Sequence, residues 1–157
     1  LIDFDHVDIT NLHRQQYKAN QIGMNKTEAL KENLFEIAPY VAIETHSVRI
    51  SEDNAEELLK NADVICEAFD DAECKAMLVN IVTERMPEKY LVAASGMAGF
   101  GSANTIQTRR ISKRFYLCGD GASDVQSEGS LVASRVMICA AHQAHTVLRI
   151  LTEQFET

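Results

Sequence analysis

The first 26 residues concentrate side chains that can bind a nucleotide. Asp3 stands in the strand-like run 1–5, and a carboxylate where a strand ends can accept hydrogen bonds from both ribose hydroxyls. Arg14 carries a fork of donors that fits phosphate oxygens, and Asn11 lies close before it in the sequence. The plainer alternatives are a solvated acid at Asp3, a surface arginine at Arg14 and a local turn cap at Asn11.

Lys26 follows Asn25, the residue at which a helix is predicted to begin. A cation at this end opposes the helix dipole and costs roughly a few tenths of a kcal/mol. The free amides of a helix N-terminus together with a lysine make a good polyphosphate site. Lys26 is therefore either a phosphate ligand or a solvated lysine that tolerates a small penalty.

Asp70 and Asp71 directly follow a predicted buried strand, 62–66. Ligands of α/β sheets bind at the carboxyl ends of the strands, so we expect both carboxylates at that edge. A carboxylate there can hold Mg²⁺ beside phosphates. Asp70 also fits a helix N-cap, because Glu73 stands three residues later, and a capping carboxylate can face a ligand as well.

Four further features allow a structural interpretation beside a functional one. His142 and His145 stand three residues apart on a predicted helix, but two ligands do not make a metal site. Cys118 ends a predicted strand and is either a reactive thiol or a buried, inert one. The glycine-rich turn that follows a predicted strand is more typical of a hairpin or bulge than of a phosphate cradle; its glycines are Gly96, Gly99 and Gly101. The basic stretch fits either a solvated hairpin or a surface that attracts an acidic partner; its residues are Arg109, Arg110, Lys113 and Arg114.

The elements that must position these residues alternate between strand-like and helical patterns. This alternation predicts an α/β fold with a mostly parallel sheet. Residues 102–107 and 114–118 are predicted as shorter strands, joined by the basic stretch, and they indicate an antiparallel addition at the end of the sheet. The other predicted strands are 1–5, 41–45, 62–66 and 90–94, and the last helix is predicted over 130–151.

Three helices precede the last one, and each begins at a predicted cap. Asn25 and Glu28 form a capping-box pattern at the first helix. Ser51 caps the second helix, and Asp70 with Glu73 opens the third. The predicted apolar stripe of the last helix consists of Val132, Val136, Cys139, Ala140, Val147 and Ile150.

The composition is that of an ordinary globular protein, with 157 residues of which 46% are hydrophobic and 24% charged. The length suits a single domain over 1–157. The sequence has no apolar run that could cross a bilayer and no signal-peptide pattern, so we expect a cytoplasmic protein with reduced thiols. The net charge of −8 argues against non-specific nucleic-acid binding. The four cysteines form no C-x-x-C pair, so no zinc site is predicted.

Taken in order, these segments resemble the ThiF/MoeB/HesA family, the bacterial relatives of ubiquitin-activating enzymes. The match begins with D-F-D-x-V-x-x-x-N-L-x-R-Q over 3–15 and continues with G-x-x-K over 23–26. Ala38-Pro39 follows where the family often has Asn-Pro, and then Asp70-Asp71 after its strand. The resemblance implies a Rossmann-like fold with helices on both faces of the sheet, and a homodimer.

The resemblance also implies an activity, which is ATP-dependent adenylylation of the C-terminal glycine of a small ubiquitin-like sulfur carrier. The compact form without zinc pairs looks most like the ThiF-type proteins of thiamine biosynthesis, whose carrier is ThiS. The implied cofactors are ATP and Mg²⁺. By position, Asp3 would hold the ribose; Asn11, Arg14 and Lys26 would contact the phosphates; Gln15 would support their loop; and Asp70 would assist Mg²⁺ and the reacting phosphate.

The sequence also departs from the family pattern. The family's glycine-rich nucleotide loop would precede Leu1, so we expect the first strand–turn–helix to be missing and this chain alone to bind ATP poorly. The loop around Asp124, where some members place a sulfur-handling cysteine, has none, which disfavours a covalent thiol step.

Several alternative functions remain open. A MoeB-like activator of a molybdopterin carrier is a sibling hypothesis, and a tRNA-modifying dehydratase is another, which the charge of −8 disfavours. A hypothesis of another class is a non-catalytic module that binds the carrier. A nicotinamide-binding oxidoreductase is less favoured, because Arg14 and Lys26 suit a triphosphate better than a dinucleotide.

Overall fold

The structure, a computed structural model, describes residues 1–156. The chain divides into two compact units, Leu1–Ile50 and Ser51–Thr157, which are described separately below. The expectation of a single domain over 1–157 stays a prediction.

The first unit is built around one long helix. Helix α1 spans Lys26–Ile37, and two 3₁₀ turns precede it at Ile9–Asn11 and Ala19–Gln21. The helix begins after Asn25 as predicted, but the capping box does not form. Asn25 makes no side-chain cap, and Glu28 instead accepts a hydrogen bond from the Thr45 hydroxyl at 2.5 Å.

Neither strand that the sequence predicts in the first unit, at 1–5 and at 41–45, forms a regular ladder. A single parallel bridge joins Ile2 and His46. The chain turns away after it, because the backbone of Asp5 pairs with Lys26 and the backbone of Val7 pairs with Gly23 and Met24. These backbone groups are therefore not available to extend a strand.

The second unit contains a four-stranded sheet in the order β1-β2-β4-β3. β1 and β2 pair in parallel, as do β2 and β4, whereas β3 and β4 are antiparallel. The sheet is therefore mostly parallel with an antiparallel addition, as predicted. The strands are β1 Val64–Cys66, β2 Tyr90–Ala94, β3 Gln107–Arg110 and β4 Phe115–Gly119.

Four helices complete this unit: α2 Ala55–Leu59, α3 Ala72–Arg85, α4 Val125–Glu128 and α5 Ala133–Leu151. α5 contacts all four strands, and α3 contacts β2. Val92 and Ala94 of β2 share a buried cluster with Cys139 and Ile150 of α5. Leu91 and Ala93 alternate with them and are also buried, so both faces of β2 are covered by protein, as expected for a parallel strand.

Three predicted boundaries in this unit are wrong. Helix α2 begins at Ala55 instead of directly after Ser51. Residues 102–107 contain a 3₁₀ turn, Ala103–Thr105, and the third strand begins only at Gln107. Arg109 and Arg110 consequently belong to β3 and not to the connection between strands.

Within residues 1–156, no helix combines the length and the apolar content that a membrane crossing requires.

Candidate functional site

Asn11 organises the loop that carries most of the predicted phosphate ligands. Its residue surface is 9% exposed, and its Oδ1 accepts from the Asp8 amide at 2.9 Å. The Asn11 carbonyl accepts from the amides of Arg14 and Gln15 at 3.1 and 2.9 Å. Asn11 is therefore a local cap, as its plainer interpretation stated, and only its amide NH₂ is left to meet a ligand.

Lys26 pairs with a residue that the sequence interpretation did not single out. Its ammonium lies 2.8 Å from Oδ2 of Asp5, and its side chain is only 11% exposed. Its backbone amide donates to the Asp5 carbonyl at 2.9 Å. Asp5 therefore neutralises the cation that would otherwise oppose the dipole of α1. A phosphate that binds Lys26 must share it with this carboxylate, and the signal that marks Asp5 is its place beside Asp3 in the D-F-D segment.

Asp3 keeps part of its carboxylate available. Its Oδ1 accepts from the Asp5 amide at 2.8 Å, which leaves Oδ2 free to accept a hydroxyl. Tyr17 is a second residue that was not predicted from the sequence, and it responds to the same carboxylates. Burial raises the pKa of Tyr17 to about 12, and the charges of Asp3 and Asp5 add to the rise. The carboxylates of Asp3 and Asp5 thus act electrostatically on the Tyr17 hydroxyl.

Arg14 and Gln15 lie on a loop that α1 holds in place. The loop is fixed by Asn33, whose amide donates to the Gln16 carbonyl at 2.8 Å and to Gln21 at 3.0 Å. Arg14 donates through Nη1 to the Thr10 carbonyl at 2.7 Å, so most of its guanidinium donors stay available. Oε1 of Gln15 is buried and has no hydrogen-bond partner among the described residues.

The sequence allowed Asp70 to be both a helix cap and a ligand of Mg²⁺, but in the structure the capping role belongs to Asp71. Asp71 is the N-cap of α3, and its carboxylate accepts from the Cys74 amide at 2.8 Å. The predicted capping box of Asp70 with Glu73 is therefore wrong by one residue. Asp70 is exposed and follows β1 at the carboxyl edge of the sheet, where ligands of α/β folds bind.

Glu67, the residue that follows β1, has a buried ion pair with Lys75 of α3. The Glu67 side chain is 1% exposed, and its Oε1 lies 2.9 Å from the Lys75 ammonium. The sequence analysis did not identify this pair. The only available signal was an acid at the end of an apolar strand, eight residues before a lysine on the following helix.

Arg135 of α5 joins the loops that follow β2 and β4. Its guanidinium lies 2.6 Å from Oδ2 of Asp120 and donates to the carbonyls of Gly101 and Ser102 at 2.7 and 2.8 Å. Burial opposes ionisation of Asp120, but hydrogen bonds from Ser123 and Ala122 and the Arg135 charge outweigh it. The pKa of Asp120 is consequently lowered to about 2.

The glycine-rich turn after β2 lies against the loop that carries Asp120. Gly96 has a φ of +80°, and a Cβ at this position would lie 2.0 Å from the Asp120 carboxylate. The turn therefore packs against the loop after β4. It is not the hairpin that the sequence favoured, because β2 pairs only in parallel, with β1 and β4.

The remaining candidates have structural roles. His142 is hydrogen-bonded to Thr108 at 2.9 Å. Cys118 is buried, and burial raises the pKa of its thiol, which disfavours a reactive role. Arg110 donates to the carbonyls of Lys113 and Phe155 at 2.8 and 3.1 Å, which fits the hairpin interpretation. Across residues 1–156, no group of three His, Cys, Asp or Glu side chains is arranged to hold a metal ion.

The predicted site residues are thus distributed over both units. The first unit carries Asp3, Asn11, Arg14, Gln15 and Lys26 on the segment before α1 and at its first residue, and the second unit carries Asp70. The first group offers one free carboxylate oxygen, a guanidinium and a partly neutralised ammonium, a set suited to a ribose and phosphates. Asp70 offers an oxygen ligand of the kind that Mg²⁺ prefers.

Comparison with known proteins gives concordant results. A sequence model of the ThiF family matches residues 1–157. "Adenylyltransferase and sulfurtransferase UBA4" of Scheffersomyces stipitis is 26% identical over 158 residues, which cover 97% of this chain and 35% of that protein. The chain therefore spans about a third of the length of this curated relative.

Solved structures show the same fold. The E. coli tRNA N6-threonylcarbamoyladenosine dehydratase TcdA in complex with ATP matches with a TM-score of 0.80 and 17% identity, over 97% of this chain and 74% of that one. E. coli MccB with ATP matches with a TM-score of 0.69 and 18% identity, over 98% of this chain and 48% of that one.

Proposed function

Because this chain belongs to the ThiF family, we propose that it acts in ATP-dependent adenylylation of the C-terminal glycine of ThiS, the small ubiquitin-like sulfur carrier of thiamine biosynthesis. The name of the UBA4 relative, which includes adenylyltransferase, supports the reaction class. The complexes of TcdA and MccB with ATP support ATP as the nucleotide. The proposed assembly is a homodimer.

The observation that carries the proposal is the state of Asp70. The carboxylate follows β1 at the ligand edge of the sheet, and the neighbouring Asp71 performs the capping role. Asp70 is therefore free to bind a ligand, whereas a purely structural acid at this position would be committed to the helix. When Mg²⁺ is bound beside ATP, it supplies positive charge at the reacting phosphate.

The proposed reaction joins the carrier to AMP. A carboxylate oxygen of the carrier's terminal glycine forms a bond to the α-phosphorus of ATP, the bond to the bridging oxygen breaks, and pyrophosphate leaves. The attacking carboxylate is already ionised, so the reaction needs no protein base. Negative charge builds on the phosphates, and fixed cations stabilise it most effectively when they are already in place.

Each site residue receives a role in this proposal. Asp3 accepts the ribose hydroxyls. Arg14 and Lys26 bind phosphate oxygens, with the Asn11 amide as a further donor. Gln15 keeps the proposed role of supporting the loop that carries Arg14, and its buried Oε1, which has no partner among the described residues, is available to accept a hydrogen bond.

ATP–pyrophosphate exchange with purified ThiS tests the proposal, and the protein used includes any residues that precede Leu1. We expect exchange that depends on ThiS, and we expect Arg14→Ala and Asp70→Asn each to lower its rate about 100-fold, the usual cost of losing a preorganised charge. Asp53→Asn is the matched control, because Asp53 is an exposed acid in the same unit as Asp70, and it should leave exchange unchanged.

The other outcomes separate the alternatives. Exchange that is unaffected by Arg14→Ala and Asp70→Asn would contradict the assigned roles. Exchange with a molybdopterin carrier in place of ThiS would favour the MoeB-like function. ThiS binding without any exchange would favour a non-catalytic carrier-binding module.

A further inference from the structure

Glu67 stands at the point where the chain leaves β1 toward Asp70, and its carboxylate is fully engaged. Besides the Lys75 ammonium at 2.9 Å, Oε1 accepts from the backbone amide of Phe69 at 2.5 Å. Oε2 faces the amide of Ala94 at 3.4 Å. A buried carboxylate of this kind persists only where it is paired and hydrogen-bonded.

The surrounding elements also hold the backbone of Glu67. The Gln143 side chain of α5 donates to the Glu67 carbonyl at 2.7 Å and to the Val92 carbonyl at 3.3 Å. Lys75 donates in addition to the Ala94 carbonyl at 3.0 Å. Residues of β2, α3 and α5 thus meet at this one position, directly after β1.

Asp70, by contrast, makes no hydrogen bond or ion pair within the described part of the second unit. Its position therefore depends on the backbone that leads to it. The bond from the Phe69 amide to Glu67 fixes that backbone one residue before Asp70. The Glu67 carboxylate is therefore linked to the backbone next to Asp70 through this short turn.

We propose that the Glu67–Lys75 pair is a positioning device that sets the Asp70 carboxylate for the reaction, an inference that rests on the proposed function. The Glu67 carboxylate satisfies its own burial through the bond from the Phe69 amide, and the same bond holds the backbone next to Asp70. Misplacing a reacting group by about 1 Å can cost about 100-fold in rate. The Asp71 cap holds the backbone after Asp70, and the Glu67 tether holds the backbone before it.

A double-mutant cycle on the exchange reaction tests this inference. Glu67→Gln keeps the shape of the side chain but places an NH₂ group against Lys75 and Phe69 or against Ala94, all of which are donors. We expect kcat to fall about 10-fold or more, and we expect no further loss when the same change is made in an Asp70→Asn background. Residues that act through one another are non-additive in such cycles.

Two controls complete the experiment. Glu57→Gln removes the carboxylate of an exposed pair with Lys60 in the same unit and should leave kcat unchanged. Lys75→Arg keeps a positive charge beside the Glu67 carboxylate and should retain most of the activity. Lys75→Gln replaces Glu67→Gln in the cycle if Glu67→Gln does not fold at the assay temperature.

The outcomes distinguish this inference from the proposed function. No ThiS-dependent exchange in the unmodified protein would overturn the proposed function itself. A second outcome is that Asp70→Asn reduces exchange and that its loss multiplies with the loss from Glu67→Gln in the double variant. This outcome would overturn the positioning role alone. The positioning role is supported if Glu67→Gln lowers kcat in the unmodified protein but not in the Asp70→Asn background.

Discussion

Asp70 and Asp71 are neighbours of identical type, yet the structure gives them different tasks. Asp71 bonds the first turn of α3 through the Cys74 amide, whereas Asp70 is exposed. We expect Asp71→Ala to lower the free energy of unfolding by about 1 kcal/mol, the usual cost of a lost N-cap. Asp70→Ala should change it by less than about 0.5 kcal/mol. Urea unfolding of the two variants measures both values.

The exchange assay should rank the same two variants in the opposite order. Asp70→Ala should abolish most of the exchange, and Asp71→Ala should retain it at a temperature where the variant stays folded. A larger loss of stability in Asp70→Ala than in Asp71→Ala would contradict the assignment of the cap.

Single residues also mark the limit of what the sequence could predict. Residue types at strand ends and helix starts were enough to propose Asp3, Lys26 and Asp70 as candidates. Their partners were not predictable, because Asp5 meets Lys26 across 21 positions of the chain. Nor does any local pattern indicate that Glu67 meets the Gln143 side chain across 76 positions.

Elements were predicted best where packing and local pattern agree. β2 was predicted with its observed bounds, since a buried parallel strand is a continuous apolar run. The segment 41–45 has the alternation of a strand, but only one bridge forms beside it, between Ile2 and His46. Strand pairing depends on a partner backbone, which alternation alone does not reveal.

Helix α5 shows a second limit at the scale of elements. Its buried face carries Arg135, Gln143 and Thr146 beside Cys139 and Ile150. Apolar periodicity instead predicted Val132, Val136 and Ala140 in that stripe. Polar residues occupy the buried face because Arg135 and Gln143 bind backbone carbonyls and a carboxylate, as buried polar groups usually must. Only Nε of Arg135 has no hydrogen-bond partner among the described residues.

The Asp120–Arg135 pair between α5 and the loop after β4 predicts a specific dependence on pH. The two side chains are 13% and 4% exposed, so Asp120→Asn leaves a nearly buried cation without its counter-charge. We expect a loss of about 3 kcal/mol in the free energy of unfolding at pH 7. Glu57→Gln, which disrupts an exposed pair, should cost less than about 1 kcal/mol.

The sign of the pH effect follows from the lowered pKa. The folded pKa of Asp120 is about 2, below its ordinary value of about 3.9. Its contribution to stability is therefore present above the ordinary pKa and is lost as the pH falls through about 2. Thermal melts of the unmodified protein and Asp120→Asn should converge between about pH 5 and pH 2. A gap that stays constant over this range would contradict the role of the charge.

At the scale of the whole molecule, the charge balance distinguishes between candidate partners. The chain carries 15 basic and 23 acidic residues, and the structure commits some of the basic side chains to the protein itself. Arg110 binds backbone carbonyls, and the Arg114 guanidinium lies over the Tyr90 ring at 4.9 Å and bonds the Glu88 carbonyl. The basic hairpin is therefore less available to nucleic acid than its sequence indicates.

This balance gives a prediction for the tRNA-modifying alternative, because protein binding to nucleic acid depends on neutralising phosphates. We expect the chain to show no saturable binding to bulk tRNA at about 10 µM protein and about 0.15 M salt. Filter binding at several salt concentrations measures this, with circular dichroism to confirm that the sample is folded. The prediction would be contradicted by tRNA binding whose log affinity falls linearly with the log of the salt concentration, with a slope that corresponds to several phosphate contacts. That result would favour the dehydratase over the ThiS adenylyltransferase, since an acidic protein that still binds tRNA must present its remaining cations on one surface.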